Sequence, residues 1–162
     1  MQTTLKKVKI YTDGSASPNP GRAGIGAVIK DGDKVRYLQK GFIRSTNNRM
    51  EIMAIIKCLE SFTEPHHLIF HTDSRYVHDA IKQNWVGRWK MRGWTKSDGG
   101  AVKNVDLWKR LESLREKHEF RIYWVRGHSG NKDNELADAL AKMGQQSLKT
   151  ELDLGYELLP YS

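Results

Sequence analysis

Cysteine is almost missing from this chain. Cys58 stands alone among 162 residues, so no internal disulfide can form and a cystine framework is excluded. A lone thiol also leaves nothing to build a cysteine-rich zinc site, and the His66-His67 pair has no further His/Cys spacing behind it. No apolar run reaches the ~18 residues that cross a bilayer. The N-terminus MQTTLKKVKIYTDG lacks the apolar stretch of roughly 7–15 residues that marks a secretory leader. Repeats, low-complexity tracts and linkers are absent too, and 162 residues suit one domain with one core. The acidic side of the charge balance is thin, at 19 residues against 27 basic ones and a net charge of +8. That excess points to a polyanionic partner, with nucleic acid ahead of an anionic membrane. A soluble cytoplasmic monomer with no membrane association is the expectation.

The first third reads as β-structure. KKVKIYT (Lys6–Thr12) alternates polar and apolar, Gly24–Lys30 is an apolar run loosened by glycine, and Asp31-Gly32-Asp33 signals a turn before Lys34–Ile43. These form a three-strand antiparallel meander. A helix is predicted from about Asn48 to Phe62, capped by Thr46 or Asn47 and apolar nearly all round, as a buried helix is. A short strand follows at His67–Thr72, then an amphipathic helix at Ser74–Gln83 and a Trp- and basic-rich stretch to Lys103. Asn104 caps a second amphipathic helix, Phe120–Arg126 is a strand, and Lys132–Met143 is the last helix. Hairpins first and β-α-β later imply an α/β fold with a mixed five-stranded sheet, antiparallel then parallel, flanked by helices. The pattern closes one domain at 1–149 and leaves 150–162 as a C-terminal tail without an assigned element.

Four carboxylates stand out. Asp13 and Asp73 each end an apolar strand, and the carboxyl ends of strands are where α/β sheets place ligands. Glu51 lies in the first turn of the apolar helix and therefore points into packed protein, where a lone carboxylate needs a cation or several donors. Asp138 sits in NELADALA among alanines and leucine. Any one of these fits a cap or turn. Together, converging carboxylates repel unless cations separate them, and oxygen-only ligands favour Mg²⁺ or Mn²⁺ over zinc. Two such ions ~4 Å apart clamp the attacking and leaving oxygens of phosphoryl transfer. Spacing along the chain does not establish that the four meet.

Six ordered segments carry a resemblance: YTDGSASPNPG (11–21), STNNRMEIMA (45–54), HTDSRYV (71–77), WVGRWKMRGW (85–94), VKNVDLW (102–108) and WVRGHSGNKDNELADALA (124–141). Over nearly its whole length the chain resembles type 1 ribonuclease H of the bacterial ribonuclease HI form. The resemblance implies the ribonuclease H-like fold, endonucleolytic hydrolysis of the RNA strand of RNA–DNA hybrids, and two metal ions held by Asp13, Glu51, Asp73 and Asp138. It implies that His128, in GHSG, shuttles a proton or helps product leave; without the family, an exposed loop histidine is the simpler reading. Arg44 and Thr46 match a pocket for a DNA-strand phosphate, and Asn19, Asn47 and Asn48 match groups lining the minor groove, where 2′-hydroxyls mark RNA.

Between Ala80 and Ser97 lie Lys82, Arg88, Lys90, Arg92 and Lys96 with no acidic residue, interleaved with Trp85, Trp89 and Trp94. The cations suit phosphates. The rings either touch sugars and bases or pack a small helix–loop core under the charge; the family has a protrusion here that grips DNA. Gly100-Ala101 stands where relatives often carry proline, and no separate N-terminal hybrid-binding domain or obligate protein partner is expected. A binding-only module has no need of the buried acids, and DNA-cutting relatives of the fold lack the Trp-rich insert and the TNNRME stretch.

Overall fold

The computed structural model describes residues 4–158. Strands β1 (Lys7–Ala16), β2 (Gly21–Asp31) and β3 (Lys34–Ser45) form the antiparallel meander. Helix α1 (Asn47–Glu60) follows, then β4 (His67–Thr72), α2 (Arg75–Lys82), α3 (Trp85–Met91), α4 (Val105–Arg115), β5 (Glu119–Trp124) and α5 (Lys132–Gln145). Strands β4 and β5 add in parallel beside β1. Among the described residues the sheet has six strands rather than the expected five. Residues Thr150–Glu151 form β6, parallel to the edge of β3, and Leu154–Glu157 form a short helix α6, giving the order β5-β4-β1-β2-β3-β6. Two residues carry no periodicity, so pairing with β3 creates β6, not local propensity. Residues 159–162 of the predicted tail lie outside the described residues.

Alternation explains the layers. Val8, Ile10 and Thr12 of β1 point to one face and are sealed beneath α1, whose Met50, Ile52, Ile55, Ile56 and Leu59 are fully buried between the sheet and α4. Helix α5 covers the opposite face over β1, β2 and β3. It comes unusually close: a Cβ on Gly26 would lie 2.4 Å from the Ala137 carbonyl oxygen, and one on Gly24 2.3 Å from that of Ala141. The glycine run in β2 is therefore the seat of α5.

Thr46, not Asn47, caps α1, its hydroxyl accepting from the Arg49 N–H at 3.1 Å. Asn104 does not act as the expected side-chain cap of α4. Its backbone is left-handed (φ 61°), and its amide is engaged elsewhere, donating to the Tyr76 hydroxyl at 3.1 Å. Helix α3 forms inside the Trp- and basic-rich stretch, in keeping with the helix–loop alternative. The left-handed Asn84 separates it from α2. Among the described residues no helix is long and apolar enough to cross a membrane.

A buried ion-pair network ties the segment around Asp153 to α1. Arg49 is 1% exposed and donates to Asp153 through Nε at 2.7 Å and Nη2 at 2.8 Å. It also donates to Asp106 at 2.9 and 2.7 Å, and the Ser45 hydroxyl adds a 2.6 Å bond to Asp153. Removing one partner of such a pair strands a buried charge. Asp153→Ala should therefore lower stability by about 3–5 kcal/mol in urea unfolding, and a loss below 1 kcal/mol would show that Asp106 alone satisfies Arg49.

Candidate active site

The site begins with strand register. The parallel β1–β4 ladder runs to Thr12↔Thr72, so Asp13 and Asp73 emerge side by side one residue later. Asp73 follows the end of β4 as expected. Asp13 does not end its strand: β1 continues to Ala16, because pairing with β2 persists through Gly14↔Ile25, Ser15↔Gly24 and Ala16↔Ala23. Asp13 is thus held in the ladder with β2 and is only 6% exposed.

Glu51 arrives from the other side of the sheet. It is the fifth residue of α1, one residue deeper than the first-turn position expected, since the helix starts at Asn47. Gly14 allows the approach: a Cβ there would lie 2.3 Å from the Met50 carbonyl carbon and 2.5 Å from the Glu51 nitrogen. With β1 and α1 in backbone contact, the Gly14 N–H donates to Glu51 Oε1. Glu51 Oε2 is buried and has no hydrogen-bond partner among the described residues.

One oxygen each from Asp13, Glu51 and Asp73 lies within 4.8 Å of the others. Asp138, on α5, lies outside this group of three, and Lys142 donates to it at 3.0 Å from the next turn. Burial is the main cause lifting the Asp13 carboxyl far above the usual range, and the charges of Glu51 and Asp73 add to it. Burial also raises Glu51, against the Gly14 N–H that donates to it. For Asp138 burial is outweighed: the neighbouring Asp13 and the Lys142 ammonium, which donates to it, hold it below the ordinary value. Such a cluster cannot carry its full negative charge without a cation. The unpartnered Glu51 oxygen and an all-oxygen donor set fit a hard divalent ion.

Asn134 is the residue that sequence reasoning passed over. It is 2% exposed, its N–H is capped by Asn131, and its amide donates to Asp73 Oδ2 at 3.5 Å. The signal was available, since it lies four residues before Asp138 on the same helix face. The Trp124 indole donates to the Asp73 carbonyl at 3.1 Å and steadies its backbone. His128 is exposed, with a left-handed φ of 54°, and its charge reaches Asp138. The loop carrying it passes directly over Asp73: a Cβ on Gly127 would be 3.2 Å from Asp73 Oδ2.

The remaining predicted contacts fall in two places. Asn19, Thr46, Asn47 and Asn48 line a groove of about 770 Å³ together with Asn104 and Tyr156. Within it the Asn47 N–H donates to Asn19 Oδ1 at 3.1 Å, and Asn47 Oδ1 accepts from the Ala16 N–H at 2.6 Å. Arg44 is near this groove's Tyr156, 5.9 Å from the ring centroid, and pairs with Glu157 at 2.9 Å. The second place is α3 and the turn after it. Trp85, Trp89 and Trp94 are half-buried against the core, with Trp89 6.2 Å from the buried Trp108. The small-core reading of the rings therefore holds for much of their surface. Trp85 and Trp89 also line a groove of about 460 Å³ with Arg88, Arg92 and Lys96. Arg88, Lys90 and Arg92 are exposed and make no ion pair among the described residues.

Comparison with solved structures gives the class, a type 1 ribonuclease H fold. LC9-RNase H1, a type 1 RNase H with the type 2 active-site motif, aligns with a TM-score of 0.80 at 27% identity, covering 90% of this chain and 75% of that one. RNase H1 from the halophilic archaeon Halobacterium salinarum aligns at 0.65 and 27% identity, covering 86% and 98%. The chain belongs to the ribonuclease H family: residues 5–146 match the sequence model of RNase H. The ribonuclease H of Psychromonas ingrahamii is 46% identical over 153 residues, covering 94% of this chain and 99% of that protein. That of Alcanivorax borkumensis is 48% identical over 145 residues, covering 90% and 95%.

The raised carboxyls have a consequence for stability. Asp13 and Glu51 titrate above their ordinary values of 3.8 and 4.5, so the folded protein binds more protons than the unfolded chain above that range. Stability in chelator should accordingly fall as pH rises from mildly acidic to neutral and beyond. In Asp13→Asn that fall should be much smaller. Denaturant midpoints measured across pH check this, and parallel curves for the two proteins would contradict the assigned repulsion.

Proposed function

We propose that this protein hydrolyses the RNA strand of RNA–DNA hybrids as a divalent-metal endonuclease, in the reducing cytoplasm, where the buried lone thiol of Cys58 is at home. The observation that carries this reading is the convergence of Asp13, Glu51 and Asp73 in a chain of the ribonuclease H family. The catalytic unit is residues 1–149, and the segment after it braces that unit through Asp153 and Arg49.

Asp13, Glu51, Asp73 and Asp138 are the groups that hold the cations. Two Mg²⁺ ions, with Mn²⁺ as a substitute, supply the positive charge that in-line displacement at a phosphodiester needs when they are bound. The chain's own contributions are separable. Gly14 and the Asp13 ladder fix where the carboxylates stand, Asn134 and Trp124 keep Asp73 from turning away, and the Lys142 cation keeps Asp138 ionised. His128, at the solvent side and electrostatically linked to Asp138, moves a proton or assists product departure.

Asn19, Asn47 and Asn48 line the groove that accepts the minor groove of the hybrid, where side-chain amides can read 2′-hydroxyls. Arg44 and Thr46 take a DNA-strand phosphate at its margin. Lys90 and Arg92, with the exposed parts of Trp85, Trp89 and Trp94, grip the DNA strand from α3 and the following turn. Free guanidinium and ammonium groups there support a phosphate contact, and the half-buried rings limit how much stacking they add.

Labelled RNA–DNA hybrid, double-stranded RNA, double-stranded DNA and single-stranded RNA, each incubated with Mg²⁺, test the assignment. Cleavage should be confined to the RNA of the hybrid. Asn at Asp13 should abolish it, whereas His128→Ala should retain a measurable rate about 10²–10⁴-fold below wild type with Mg²⁺ binding intact. Near-normal turnover by Asp13→Asn, or equal cutting of double-stranded DNA, would overturn the reading.

A further inference from the structure

The face of the sheet that carries Asp13 is covered by α5 over β1, β2 and β3, and that cover stops short of the β4–β5 side. The parallel registers put three side chains abreast there, Tyr11, His71 and Tyr123. Their rings stack. Tyr11 and His71 have centroids 4.4 Å apart with planes 13° from parallel, and His71 and Tyr123 are 5.8 Å apart at 28°. Strand β5 is the edge of the sheet, so among the described residues no strand stands beyond Tyr123, which is 48% exposed. The ladder thus ends in an open aromatic face. The next row along the strands is Lys9–Ile69–Arg121, with both cations exposed and neither paired with a carboxylate among the described residues. A small groove of about 170 Å³ at the same edge adds Lys82 and Arg115 to Arg121 and Tyr123. Arg115 is shared with Glu112 at 3.4 Å. The acidic groups nearby are already engaged or lie a row away: Asp133 pairs with Lys30 at 2.6 Å, and Glu119 stands beside His67 at 3.6 Å.

This ladder is not isolated from the carboxylates. Tyr11 lies two residues before Asp13, and His71 two residues before Asp73, on the same face of the same strands. The spacing between rows is about 6.6 Å. Beyond the loop that passes over Asp73, the aromatic row therefore comes first along β4 and β5 and the cationic row next. An open ring face beside unpaired cations is the arrangement that binds single-stranded nucleic acid, bases on the rings and phosphates on the cations.

We propose that an unpaired extension of the hybrid is held here, its base stacked on the outer face of Tyr123 and its phosphates over Arg121 and Lys82. The inference rests on the hybrid being the substrate. It predicts that the enzyme prefers hybrids bordered by single strand over blunt ones.

The test is fluorescence anisotropy with the full chain in chelator, so that nothing is cut. Blunt hybrid is compared with hybrids carrying a short single-stranded overhang at the 5′ or the 3′ end of the RNA. One overhang should bind at least about fivefold tighter than blunt, the lower end of what a single stacked base is worth. In Tyr123→Ala that ratio should fall to about one, and in Tyr123→Phe it should persist, since only the ring is needed. An abasic overhang, which keeps the phosphates, should lose most of the gain. Equal affinity for blunt and both overhangs, or a preference untouched by Tyr123→Ala or by removing the bases, would overturn the proposal. No binding to blunt hybrid would instead count against the substrate assignment on which it rests.

Discussion

Asp13, Glu51 and Asp73 repel one another across less than 5 Å, and the surrounding fold is arranged so that they cannot separate. Asp13 is locked in a ladder with β2, and Asp73 is aligned by the β1–β4 register and held by Trp124 and Asn134. Glu51 is carried in on a helix whose backbone touches β1 at Gly14. None of these contacts is strong alone. Together they oppose a Coulomb energy that grows as water is excluded, and they leave a Glu51 oxygen without a partner in the protein. The site is costly without a cation, and that cost is what makes it selective for one.

Holding Glu51 in place requires holding α1, and the buried Arg49 does so from two residues away. It ties the first turns of α1 and α4 to the segment around Asp153. The same residues border the groove lined by Thr46, Asn47 and Asn48, so one charged network underlies both the carboxylates and the surface assigned to the hybrid.

Much of this was legible in the sequence where one residue's environment is set by its neighbours. The alternation of KKVKIYT, the all-round apolarity of α1 and the fragment LIFHT before Asp73 identified the elements and three of the four carboxylates as oddly placed. What the sequence could not convey was anything set by distant partners. Strand β6 exists only because β3 offers an edge, and β1 outruns its apolar run because β2 keeps pairing with it. Asn104 reads as a cap but is drawn into the Tyr76 and Arg49 contacts. The Tyr11–His71–Tyr123 ladder is scattered over more than a hundred residues, and only the register of three strands assembles it.

Anomalous diffraction from crystals grown with Mn²⁺ tests the central claim most directly. The account predicts a manganese peak within bonding distance of one oxygen each from Asp13, Glu51 and Asp73, with Glu51 Oε2 no longer unpartnered. Carboxylates splayed apart with no peak among them, or a peak held by other residues, would contradict it.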